Sequence, residues 1–197
     1  MQPARGSIGV PIATTRDEPA WSSNSPDPWN FRALGSAPSL HGILENGQNI
    51  HRPGALLRIP LADGSFGYGR VLEPPHDAFY EYRTNSPDAD LDRIASKPIL
   101  FKVAIRHSDL SPWEIIGWRA IEEPLAQPIV QFRQDVGDFR RCKIFDTAGN
   151  SRDAEPQECV GLERLAVWEQ SDVEERLLDT FMGRPNFTVE HLKVRLR

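Results

Sequence analysis

The chain has 197 residues, 26% charged and 39% hydrophobic, with a net charge of −5 and an isoelectric point near 5.6. That length holds one domain with a real core, or one domain plus a tail. The acidic balance argues against binding that works by neutralising nucleic-acid phosphates. No apolar run approaches the ~18 residues of a membrane span, and no basic-then-apolar leader opens the chain. Two cysteines, Cys142 and Cys159, do not make a disulfide framework, so a reducing cytoplasm is the expected compartment.

Residues 1–47 read as an irregular extension, dense in Pro, Ser, Gly and Asn and without a sustained period. Trp21, Trp29 and Phe31 are the exception in it, and would allow part of it to be pinned to a surface. Residues 48–197 read as a single domain. Its strongest signal is Pro53–Leu72, a strand–turn–strand pattern. Leu57, Ile59 and Leu61 alternate with Leu56, Arg58 and Pro60. Asp63-Gly64 supplies the turn, because that pair tolerates positive φ. Phe66, Tyr68, Arg70 and Leu72 then share one face, and Gly67, Gly69 and Val71 the other. Two glycines on one face leave a bare strip, which a bulky neighbour fills or against which a ligand lies.

Ala78–Arg83 reads as a third strand, and Ser86-Pro87 as the start of a short helix carrying Leu91 and Ile94. Ile99–Arg106 is the clearest isolated strand, with Glu114–Arg119 as its expected antiparallel partner. Ile129–Phe132 and Lys143–Phe145 are weaker strands, followed by a turn at Ala148-Gly149-Asn150. From Ser171 the period becomes helical: Ser171 and Glu174 fit a capping box, Val173, Leu177 and Phe181 make one face, and Gly183 is the stop. Thr188 is placed to cap a last helix through Val189, Leu192 and Leu196.

Familiar catalytic patterns do not emerge. Gly67-Tyr68-Gly69 lies within a strand pattern with no helix after it, which removes the phosphate-cradle reading. The histidines (His41, His51, His76, His107, His191) have no ligand spacing, so no metal is expected. Cys159 has no adjacent activator and reads as a small buried residue. No cofactor is implied, and no acid–base pair stands out. The charge distribution says more: residues 151–180 hold nine acidic side chains against three basic ones. Such a segment is either a solvated helix face or a patch that docks on a basic protein.

Several motifs occur in a telling order: Gly54-x4-Ile59-Pro60-Leu61-x-Asp63-Gly64, Tyr68-Gly69-Arg70-Val71-Leu72, Ala78-Phe79-Tyr80, Leu100-Phe101-Lys102-Val103 and Trp113-x-Ile115-Ile116-Gly117. Gln134-Asp135, Gly161-Leu162-Glu163-x2-Ala166-Val167-Trp168 and Val173-Glu174-x-Arg176-Leu177 follow. From about Arg52 to Asn186 the chain resembles the immunity protein 26 family of bacterial polymorphic-toxin systems. Ala55 departs from it, standing where an acidic residue is expected. The resemblance implies no catalytic residue. It implies a cytoplasmic protein that binds and neutralises a cognate toxin in interbacterial competition, by covering the toxin's active or substrate-binding face.

The expected fold is α+β. A bent, mainly antiparallel sheet spans residues 54–145, with the C-terminal helices packed on it. The expected partner is a basic toxin domain, not nucleic acid or membrane. Asp172, Glu175 and Asp179 are the leading partner-binding candidates, with Glu169 and Glu163 behind them. The competing readings are a non-enzymatic ligand-binding or scaffolding module, with the Gly67/Gly69 strip as its groove, and an enzyme, for which no constellation is found.

Overall fold

The computed structural model describes residues 52–108 and 111–196. The extension with Trp21, Trp29 and Phe31, together with His41 and His51, lies outside the described residues.

β1 (Ala55–Pro60) and β2 (Phe66–Val71) form the expected hairpin, with Leu57 opposite Gly69 and Ile59 opposite Gly67. Its turn is built by Asp63, whose carboxylate accepts from the Ser65 backbone N–H and hydroxyl. Those bonds hold the Asp63 carboxyl below its ordinary pKa. Gly64 sits at φ 81°, in the left-handed region that Asp-Gly turns require.

The chain then makes two sheets rather than the single one expected. The first, in spatial order, is β10 (Val167–Glu169), β4 (Ile99–Arg106), β3 (His76–Tyr80), β2, β1 and β5 (Glu114–Trp118). The second is β8 (Ser151–Ala154), β7 (Cys142–Asp146), β6 (Val130–Gln134) and β9 (Glu163–Arg164). Pairing is antiparallel except for β10 with β4 and β9 with β6. The fold class is therefore α+β, mainly antiparallel. β5 pairs with β1, not with β4, because β3 and β10 occupy both edges of β4. β9 and β10 are too short to show a period in sequence.

Helix α1 (Leu91–Ala95) starts later than the Ser-Pro signal implied. Its N-cap is Asp90, which accepts from the Arg93 N–H at 3.0 Å. Asp88 is held in the preceding turn by Tyr82 Oη and the Arg93 guanidinium. Helix α2 (Gln170–Phe181) follows β10 directly, with Glu169 in the N-cap position. The expected capping box does not form: Glu174 instead accepts from Trp113 Nε1 at 2.7 Å. Helix α3 (Phe187–Leu192) is capped by Asn186, not Thr188, through the Val189 N–H.

α2 and α3 pack on one face of the first sheet, as expected. Val173 and Leu177 join Leu57, Ile59, Val71, Phe79, Val103 and Trp168 in one buried cluster, against which Phe181, Val189 and Leu192 also pack. The glycine strip lies under this cover. A Cβ on Gly67 would stand 3.1 Å from Leu177 Cδ1, and one on Gly69 3.1 Å from the Phe79 ring. A neighbour fills the strip, which removes it as a ligand groove. Gly69→Val should therefore cost roughly 1–3 kcal/mol by overpacking against Phe79. Chemical denaturation measures this, and an unchanged midpoint would refute the close contact.

The opposite face of the hairpin is buried as well, although strict alternation is the pattern of a half-buried strand. Leu56, Tyr68, Tyr80 and Ile94 of α1 cluster there. Among them Arg70 has no exposed surface. Its Nη1 donates to Glu122 Oε1 at 3.2 Å and to Tyr80 Oη at 3.4 Å, and its Nη2 to Glu122 Oε2 at 3.0 Å and to the Ala120 carbonyl.

The second sheet closes on Phe132, Cys142 and Cys159, with Ile144, Leu162 and Val194 packed against them. Two polar ties join it to the first sheet and α2. His76 Nε2 lies 3.2 Å from Gln131 Oε1. Arg176 donates bidentately to Glu163 at 2.6 and 3.2 Å while lying over the Phe101 and Trp168 rings.

Candidate partner-binding face

The five acids singled out by charge do not form one surface. They divide according to what their neighbours demand of them. Asp179 is 8% exposed and accepts from Arg184 Nη2 at 2.8 Å and Asn186 Nδ2 at 3.0 Å. It fixes the turn from α2 into α3 and is turned away from solvent. Glu163 is occupied by Arg176, and the guanidinium is nearly buried. Glu169 forms an exposed ion pair with Arg106 at 2.7 Å.

Asp172 and Glu175 remain for the outer side of α2. Glu175 is exposed and Asp172 half-buried, one turn apart on the helix. Their position follows from the helical period, which commits Val173 and Leu177 to the core and turns Glu175 outward. Asp172 lies in the first turn, where the helix dipole favours a negative charge. The solvent-accessible acids, half-buried Asp172 and exposed Glu175, thus lie toward the start of α2, with Glu169 just ahead of them.

Of the remaining acids of residues 151–180, Glu174 is on α2 and held by Trp113, and Asp153, Glu155 and Glu158 belong to other parts of the molecule. Glu158 is tied to Arg152 and to the Glu155 N–H, in the short 3-10 turn Pro156–Cys159. Asp153 lies on β8, 3.6 Å from Lys143. The segment's charge is a sum along the chain rather than over a patch.

Beneath the start of α2 lies a polar cluster that spacing alone could not reveal. Asp77, on β3, is 1% exposed, and His107 Nε2 stands 3.1 Å from its carboxylate. Burial raises the Asp77 pKa, and His107 partly opposes that. The Trp113 ring meets His107 edge-on and its Nε1 reaches Glu174. Gln170 Nε2 donates to Ser111 Oγ at 2.7 Å. An aspartate of this kind fixes the orientation of an imidazole. Here the contacts lock the segment after β4 to the first turn of α2. In sequence His107 is one scattered histidine, because Asp77, on β3, is thirty positions away.

Cys142 and Cys159 are free and buried. Burial first, then the neighbouring Cys142 thiol, pushes the Cys159 thiol up to about 11. It stays protonated at neutral pH, and a thiol is not the nucleophilic form. That agrees with the structural reading of Cys159.

Residues 52–143 match the model of a family described as Immunity protein 26. No curated protein and no solved structure matches the chain. The resemblance carried by the motifs is borne out over that stretch, from the start of β1 into β7. The motifs around Gly161–Trp168 and Val173–Leu177 lie beyond it.

Proposed function

We propose that this chain, whose residues 52–143 match the Immunity protein 26 family model, acts as a member of that family, binding a cognate toxin and neutralising it without chemistry of its own. The family match is the observation that carries the reading. The toxin would be that of a bacterial polymorphic-toxin system, and the compartment the cytoplasm. No helix among the described residues is long and apolar enough to cross a membrane.

The contact face we assign is the outer side of α2, with Asp172 and Glu175 at its centre and Glu169 at its edge. An exposed negative cluster on a rigid helix raises the encounter rate with a basic partner, and complementary charge adds selectivity. Covering the toxin's active or substrate-binding face would then be steric. Asp179 and Glu163 act behind this face, holding α2 in place.

The test is association kinetics of the full chain with the product of the neighbouring toxin gene, at low and high salt. The double variant Asp172→Lys, Glu175→Lys should slow association by about tenfold at low salt and lower stability by only about 1 kcal/mol, since surface helix pairs are worth ~0.2–0.5 kcal/mol and a first-turn charge ~0.3–1 kcal/mol. The wild-type rate should fall as salt rises, since the screening length is about 10 Å at 0.1 M. Tight binding with an unchanged rate in the variant would move the contact to another face. No binding at all would remove the toxin reading.

A further inference from the structure

An apolar groove is lined by the segment Cys159–Arg164 on one hand and by α3 and the chain after it on the other, with a cavity of about 420 Å³. Val160, Leu162, Leu192 and Leu196 are among the residues that line it. Val160 and Leu196 are 59% and 56% exposed.

Three charged residues line the groove: Glu163 and Lys193, which are paired with Arg176 and Glu190, and Arg164. The half-buried Arg164 donates from Nε to the Leu192 carbonyl at 2.9 Å, and from Nη2 to Gln134 Oε1 at 3.1 Å and the Lys193 carbonyl at 3.4 Å. All three acceptors are neutral, and among the described residues Arg164 forms no ion pair with a carboxylate. Arg195 adds a like charge nearby. Burial first, and then Arg195, lower the Arg164 pKa. A guanidinium drawn partly from water, beside a second cation and without a counter-charge, favours an incoming carboxylate.

We infer that this groove docks a partner polypeptide through an apolar side chain seated on Val160, Leu192 and Leu196 and an adjacent carboxylate held by Arg164, with Arg195 adding positive potential from outside the lining. The exposed carbons of Val160 and Leu196 would stay wet around a compact acid, whereas a polypeptide covers them. The partner's chemistry here is acidic and apolar, the reverse of what α2 offers. It is a second surface and stands independently of the toxin reading.

The test is fluorescence anisotropy of the full chain with a labelled peptide of alternating leucine and aspartate. Serine-for-leucine and lysine-for-aspartate peptides are the controls. The leucine–aspartate peptide should bind saturably, about tenfold or more tighter than either control. Val160→Glu and Arg195→Glu, both at exposed positions, should each weaken it by about tenfold, while Glu175→Lys leaves it unchanged. Arg164→Met should weaken it too; because Arg164 also braces the C-terminal carbonyls, the exposed variants decide. The proposal is overturned by no saturation up to about 1 mM, by equal binding of a control peptide, or by indifference to Val160→Glu and Arg195→Glu. Tighter binding of decanoate than of the peptide would assign the groove to a small acid and overturn it as well.

Discussion

Glu122→Ala should destabilise the domain by about 3 kcal/mol, although Glu122 is 44% exposed and lies outside every named helix and strand. The reason is the partner it leaves behind. Arg70 has no solvent access, and Glu122 is its carboxylate. Without Glu122, a buried guanidinium keeps only Tyr80 Oη and the Ala120 carbonyl, and its Nε already lacks an acceptor. Removing one member of such a pair costs more than removing the charge altogether. Arg70→Met, which fills much of the volume and takes the cation away, should therefore be milder than Glu122→Ala. Urea denaturation of the two variants and the double variant provides the measurement. Equal or reversed effects would show that the buried charge is not what Glu122 serves.

Arg176→Ala should cost a similar amount, about 3 kcal/mol, and lower the melting temperature by roughly 10 °C for a domain of this size. Here two contributions combine. The side chain covers the Phe101 ring at 3.7 Å and the Trp168 ring at 4.9 Å, so truncation uncovers aromatic core. It also breaks the bidentate bond to Glu163, the tie between β9 and α2. Arg176→Lys should recover only part of the loss, since an ammonium cannot form the planar fork. Scanning calorimetry gives the size, and the fluorescence of Trp168 reports whether its cover is gone. A lysine variant as stable as the parent would reduce the role of Arg176 to charge alone.

Both effects depend on partners that sequence reasoning did not connect. Alternation put Arg70 on one face with Tyr68 and Leu72, correctly. What covers that face is not legible locally, because α1 and the stretch around Glu122 carry no sign in sequence of folding over it. The hairpin, β4 and the core side of α2 were legible because each declares itself through local periodicity. β9 and β10 span two and three residues, and their pairing is dictated by distant edges rather than by their own composition. Asp179 was legible as helical but not as buried. Its cover comes from Arg184 and Asn186, which the turn brings back upon it. Charge counting singled out the acids; only tertiary structure separates those held by guanidinium groups from Asp172 and Glu175, which face outward.

The two parallel pairings are made by a single short run, residues 163–169, which joins β6 at one end and β4 at the other. Parallel strands cannot meet through a tight turn, so both pairings wait for distant parts of the chain. During synthesis, β4 and β6 emerge long before the strand that completes them. Until then each presents an unsatisfied backbone edge of the kind that recruits other strands. Neither sheet can be completed before residues 163–169 are available, so both depend on long-range loop closure rather than on local propensity. A nascent chain that stops short of residue 163 would leave both edges open together.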